Sequence, residues 1–179
     1  MGRIWKRDYR SRNVGKIADR QYQPFKGALL FGATAQDRVT DVLRAAGGFA
    51  NNVDDFSRYD FELHFNNHTF RVEVKNEDRY ATSGNICVET RQGFPLRPSG
   101  VAWSEATVFI HTLMNFCVVY RRREMHAWLR DEFKGGRKEQ AFGDNNNRGF
   151  VIAISVLESA DWFDYCRFAD MPSSSIWTY

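Results

Sequence analysis

Asp60, Glu73 and Lys75 are the residues of this chain whose types and spacing could do chemistry together. The run Phe70-Arg71-Val72-Glu73-Val74-Lys75 alternates as a strand does. Alternate side chains of a strand share a face, so Glu73 and Lys75 lie side by side, with Phe70, Val72 and Val74 on the opposite face. The preceding run from Tyr59 to Phe65 also alternates, with Phe61, Leu63 and Phe65 apolar and Asp60, Glu62 and His64 polar. Asn66-Asn67 between the two runs predicts a hairpin turn, and antiparallel pairing across it would bring Asp60 toward Glu73. Two carboxylates converging on one point repel each other unless a cation lies between them, and a few hard oxygen ligands suit Mg²⁺ or Mn²⁺. A lysine beside such an ion would orient a water attacking phosphorus, while the ion stabilises charge on the phosphate and the leaving oxygen. This set of groups suits phosphodiester hydrolysis. The ordinary alternative is a solvated Glu-x-Lys pair on an exposed strand.

Further acids and the elements around them weigh against that alternative. The segment from Ala35 to Ala46 carries Val39, Val42, Leu43 and Ala46 at helical spacing, and Gly47-Gly48 supplies its stop. On this predicted helix Asp37 and Asp41 sit one turn apart, Asp37 being the preferred candidate; ordinary charges favoured by the helix dipole are the competing explanation. Glu89 closes a strand-like run that begins at Asn85, and would hold a second metal or a water, or pair with Arg91 as an edge-strand carboxylate.

From about Ala35 to Thr112 the chain resembles the PD-(D/E)xK nuclease superfamily, which includes restriction endonucleases, Holliday-junction resolvases and small phage nucleases. The resemblance rests on a helix with an acid, a hairpin with Asp60 on one strand and Glu73-Val74-Lys75 on the next, and further elements beyond. The helix acid of that family is usually Glu, where this chain offers Asp. The segments Thr82-Ser83-Gly84-Asn85 and Pro98-Ser99-Gly100-Val101 also look like a pattern in phage members, in which the Ser-Gly leads into a strand. The resemblance implies a restriction-endonuclease-like α/β fold, a mixed β-sheet flanked by helices, with a helix following the lysine strand. It also implies Asp60 and Glu73 as metal ligands, the Val74 carbonyl as a third, and Lys75 as the catalytic lysine.

The 179 residues suit one domain with an ample core, read as 34–179, preceded by a basic arm, 1–33. The net charge of +3 is modest, but Arg3, Lys6, Arg7, Arg10, Arg12, Lys16 and Arg20 crowd the first twenty residues around Trp5 and Tyr9. Such an arm could track phosphates or remain a solubilising tail. A second basic region comprises Arg121, Arg122 and Arg123, then Lys134, Arg137 and Lys138, and Arg148 in the loop from Gly143 to Gly149. It is a candidate DNA-contacting flank, or else a charged surface helix with a long loop. The helix within it, Glu124 to Phe133, should turn Met125, Trp128, Leu129 and Phe133 to the core.

Cys87, Cys117 and Cys166 lack metal-ligand spacing and read as small core residues in a reducing cytoplasm, that of the host cell for a phage-borne protein. Of the four histidines only His64 falls near the expected site by strand parity. The apolar run from Ala106 to Tyr120, interrupted by His111, Thr112 and Asn115, gives two short strands better than a membrane span. Another strand is expected from Phe150 to Val156 and a helical turn from Glu158 to Phe163, while the aromatic tail from Ser173 to Tyr179 could pack on the domain or cover a dimer seam. These features lead to the expectation of a Mg²⁺- or Mn²⁺-dependent DNA endonuclease, phage or mobile-element borne. Its homodimer would supply the two sites that double-strand cleavage requires. The competing expectations are a DNA-binding or phage structural protein that does not cleave, and an enzyme acting on RNA.

Overall fold

The computed structural model describes residues 34–53, 58–77, 83–142 and 146–178, so the basic arm lies outside the described residues, as do Thr82 and residues 143–145 of the expected DNA-contacting loop. The architecture is mixed α/β. Helix α1 spans 34–45 and leads into strands β1 (Phe49–Asn52), β2 (Phe61–Phe65) and β3 (His68–Asn76). Next come β4 (Asn85–Gln92), β5 (Arg97–Pro98), β6 (Val108–Leu113), β7 (Phe116–Arg121) and helix α2 (Arg122–Lys134). β8 (Gln140–Phe142), β9 (Asn147–Ala153) and β10 (Phe163–Arg167) follow, and the chain ends in 3-10 turns.

A six-stranded sheet of order β1-β2-β3-β6-β7-β10 carries the molecule, and β5-β4-β9-β8 form a second, antiparallel sheet. The first sheet is antiparallel except where β3 and β6 run parallel, Glu73 opposite Phe109 and Lys75 opposite His111. Parallel neighbours need a long crossover. Among the described residues that crossover carries β4, β5 and a 3-10 turn at Gly100–Ala102, and not the helix that the family resemblance implies after the lysine strand. Ser99-Gly100 accordingly opens a 3-10 turn, not a strand.

All six residues of β6 are buried because both sheet faces are covered. On one face Val39 and Leu43 of α1 pack with Leu63, Phe70, Val72, Ile110 and Val119. The opposite face sets Phe109, Val118 and Tyr120 against Ile86 and Val88 of β4, Phe150 and Ile152 of β9, and Met125 and Leu129 of α2. The tail closes the first core: Trp177 is fully buried, edge-on to Phe70 at 5.1 Å between ring centroids, and its indole Nε1 donates to the Met171 carbonyl at 2.8 Å. It therefore packs on the domain.

Two expectations differ from the structure. The segment from Glu158 is a succession of turns, and Phe163 begins β10, which pairs antiparallel with β7. Phe133 is 52% exposed, at the last turn of α2 beyond the reach of the core, although it meets Phe150 edge-on at 6.4 Å. Two of the cysteines, distant in sequence, are neighbours in space, the Cys117 and Cys166 sulfurs standing 3.6 Å apart across β7 and β10.

Replacing Trp177 by alanine removes the largest buried side chain of the first core and should cost about 3–5 kcal/mol of unfolding free energy. Urea denaturation of the variant beside the wild type measures this; a loss under about 1 kcal/mol would show the tail to be a dispensable cover.

Candidate metal-binding site on the β2–β3 hairpin

The site follows from hairpin register. Asn66 and Asn67 take positive φ angles of 51° and 64°, the two-residue turn whose twist suits a tight hairpin. Phe61 then pairs with Val72 and Leu63 with Phe70. Just outside the paired ladder, the Asp60 amide donates to the Val72 carbonyl at 2.9 Å, which ties Asp60 to β3 near Glu73. Asp60 Oδ2 accepts a hydrogen bond from the Val74 amide at 2.7 Å, and Lys75 Nζ donates to Glu73 Oε1 at 2.5 Å. Gln36 of α1 donates to the Asp60 carbonyl at 3.4 Å.

Charge crowding is visible in the titration of these groups. Burial first, and then the negative charge of Glu73, push the Asp60 carboxyl up to about 6, against the opposing pull of the Val74 amide and Lys75. Burial disfavours the Lys75 ammonium, but Glu73, Asp60 and Glu89 outweigh it and hold Lys75 above its ordinary value. Glu89, on the other sheet, thus acts on Lys75 through its charge.

Two glycines and a bulge set Glu89 in place. Pairing of β4 with β9 shifts register just after Glu89, which stands opposite Gly149, and such a bulge re-aims side chains. A Cβ on Gly149 would meet the Val88 carbonyl, and one on Gly100, whose φ is +50°, would meet the Glu89 backbone. Close approach on both sides thus requires glycine. The Ser99 hydroxyl donates to Glu89 Oε1, so the edge-strand pair with Arg91 is not what occupies this carboxylate; Arg91 faces Glu139 at 3.5 Å.

Beside Lys75 runs a buried polar chain that the histidine spacing did not reveal. His111 Nδ1 lies 3.1 Å from Glu77 Oε1 and its Nε2 2.9 Å from the Tyr120 hydroxyl. With Nδ1 donating and Nε2 accepting from the phenol, each group is satisfied. Burial, then Glu77 and Glu73, raise the Tyr120 phenol. The signal in the sequence was the one polar residue, His111, on an otherwise apolar strand face.

The other candidates fall elsewhere. Asp37 and Asp41 are exposed; the Asp37 carbonyl accepts from Thr40, Asp41 pairs with Arg44 at 3.9 Å, and neither meets Asp60, Glu73 or Lys75 among the described residues. His64 is exposed at the far end of β2, hydrogen-bonded to Thr69 and stacked on Phe49. Arg122 is half-buried and donates to the Ala106 and Val101 carbonyls, pinning the crossover to α2. Arg121 donates to the Thr178 carbonyl, while Lys134 and Arg137 pair with Asp131 and Glu132. Arg123, Lys138 and Arg148 remain exposed.

Among the described residues no three His, Cys, Asp or Glu side chains stand as a ready metal cluster. Asp60 and Glu73 supply two hard oxygen donors, which fit Mg²⁺ or Mn²⁺, since these ions commonly take one or two protein carboxylates and keep several waters. None of the described helices is long and apolar enough to cross a membrane. No protein-family model, curated protein or solved structure matches the chain.

Two outcomes follow from this geometry. Because folded Asp60 holds its proton more tightly than the unfolded chain does, metal-free protein should lose stability as pH rises from about 4 to about 6. Asp60→Asn should then be more stable than wild type at pH 7, by up to about 3 kcal/mol, with no advantage below about pH 4. Urea melts in EDTA across that range decide it, and an advantage independent of pH would contradict the assignment. Gly100→Ala should cost about 1–3 kcal/mol, read in the same melts, through strain at its positive φ and the clash with Glu89.

Proposed function

We propose that the chain is a metal-dependent DNA endonuclease with a restriction-endonuclease-like fold, hydrolysing phosphodiester bonds with Mg²⁺ or Mn²⁺. What supports this reading best is the convergence of Asp60 and Glu73 beside Lys75, with the Asp60 carboxyl raised by its neighbour's charge.

Asp60 and Glu73, with the Val74 carbonyl, would hold the ion. A bound divalent ion supplies Lewis-acid stabilisation of phosphate charge and a more acidic water. Lys75 stays protonated at neutral pH because its carboxylate neighbours raise it, so it serves as a charged donor and not as a base. Its ammonium has three donors, one directed at Glu73, leaving others to orient a water and a phosphate oxygen. Glu89, held by the Ser99 hydroxyl, adds a further negative charge that acts on Lys75. Arg123, Lys138 and Arg148, all exposed, suit contact with the DNA backbone. A homodimer in a host cytoplasm, phage or mobile-element borne, completes the reading, since one such site cuts one strand.

Cleavage of supercoiled plasmid, linear duplex and a four-way junction with Mg²⁺ or Mn²⁺ tests it. Wild type should cut at least one of the three, and Lys75→Ala and Asp60→Ala should each cut it at least about 100-fold more slowly while still binding it. A wild type inert on all three but binding DNA would instead mark a binding protein without cleavage.

A further inference from the structure

We propose that the open cavity beside Glu89 seats an unpaired DNA nucleotide flanking the cleaved bond, its base stacked on Trp103 and its phosphate met by Arg97; this rests on the nuclease reading above and names its substrate class.

The cavity, about 630 Å³, is lined by Gln92, Arg97, Ser99, Trp103 and Asn146 among others, and falls within the range of ordinary small-ligand sites. It adjoins Glu89 through one residue. Ser99 forms part of its wall and donates its hydroxyl to Glu89, while the Ser99 amide is tied to the Thr90 carbonyl. Whatever fills the cavity therefore lies next to Glu89, whose charge also acts on Lys75.

The lining chemistry fits a nucleotide. Trp103 is 52% exposed, a large flat apolar ring left in water, and the Arg58 guanidinium holds it from 4.1 Å. Arg58 stands two residues before Asp60 and is itself anchored to Glu105 at 3.2 Å, so ring and site share one frame. Arg97 makes no ion pair among the described residues, which leaves its charge for an anion. Gln92 and Asn146 offer amides, which match the mixed donors and acceptors of a base edge. At the tip of the same β4–β5 hairpin Phe94 is 94% exposed and Leu96 40%, extending the apolar surface beyond the cavity. Bases inside a duplex are already stacked on each other and cannot also lie on a protein ring, whereas unpaired bases can. The favoured substrate is thus DNA with unpaired nucleotides at the cut, as in a single strand, a flap or an open junction.

Fluorescence anisotropy in EDTA, with a labelled 12-nucleotide oligothymidylate and a blunt 24-base-pair duplex as probes, tests this. Losing one base–aromatic stack should weaken oligothymidylate binding by Trp103→Ala about 10-fold, inside the roughly 5- to 150-fold range of such stacks. Trp103→Phe, which still stacks, should stay within about threefold of wild type, and duplex binding should change by less than about twofold in either variant. Thermal melts check that both variants fold, and the phenylalanine variant carries the test if the alanine variant does not. The proposal fails if wild type does not bind the oligomer, if Trp103→Ala binds it as wild type does, if Trp103→Phe loses as much as Trp103→Ala, or if duplex binding falls in parallel. Adding Mg²⁺ to the same oligomer separates the two readings. Trp103-dependent binding without cleavage of any DNA removes the nuclease and leaves the base seat, while cleavage with Trp103-independent binding does the reverse.

Discussion

Asp60 and Glu73 are forced together by main-chain register, and their mutual repulsion is the constraint on which the rest of the site depends. The turn at Asn66-Asn67 fixes the pairing of β2 with β3, and a slip of one residue would send every side chain of the hairpin to the other face. The sheet therefore holds two acids against each other whatever they cost in isolation. Phe61, Leu63, Phe70 and Val72, all fully buried on the opposite face, supply the apolar burial that keeps the register from relaxing.

Three devices manage the resulting charge. The Val74 amide binds one oxygen of Asp60, Lys75 closes on Glu73, and Asp60 takes up a proton more readily than an ordinary aspartate. Glu89 of the second sheet, beside a bulge that Gly100 and Gly149 make room for, adds its negative charge to the field at Lys75. A site with more acid than its one lysine balances is suited to a cation, and in a catalytic reading that is its use. The buried chain from Glu77 through His111 to Tyr120 stands beside it, with every member hydrogen-bonded, and gives β3, β6 and β7 a fixed spacing there.

What was legible in the sequence was local. The hairpin could be read because alternation, a two-residue turn and a short range of pairing all agree within about twenty residues. Helices α1 and α2 could be read from their apolar stripes. Pairings that close over long separations could not: β1 and β10 are short edge strands, and the parallel union of β3 with β6 across β4 and β5 has no local signature. The helix acids show the limit in one step, since a single residue turns a helix by about 100°, so that Gln36 meets Asp60 while Asp37 faces water. Arg122 shows another. Its charge suggested phosphate, but two backbone carbonyls from the crossover claim it, and no pattern of residue types announces a partner of that kind.

We propose that the Asp60–Glu73 pair is a cation site. Calorimetric titration of Mn²⁺ into metal-free protein at pH 7 tests it most directly. A cation held by this pair should give binding that disappears in Asp60→Asn and survives, or tightens, in Lys75→Ala, since removing the ammonium leaves Glu73 free for the ion. Binding that persists unchanged in Asp60→Asn, or none in the wild type, would contradict it.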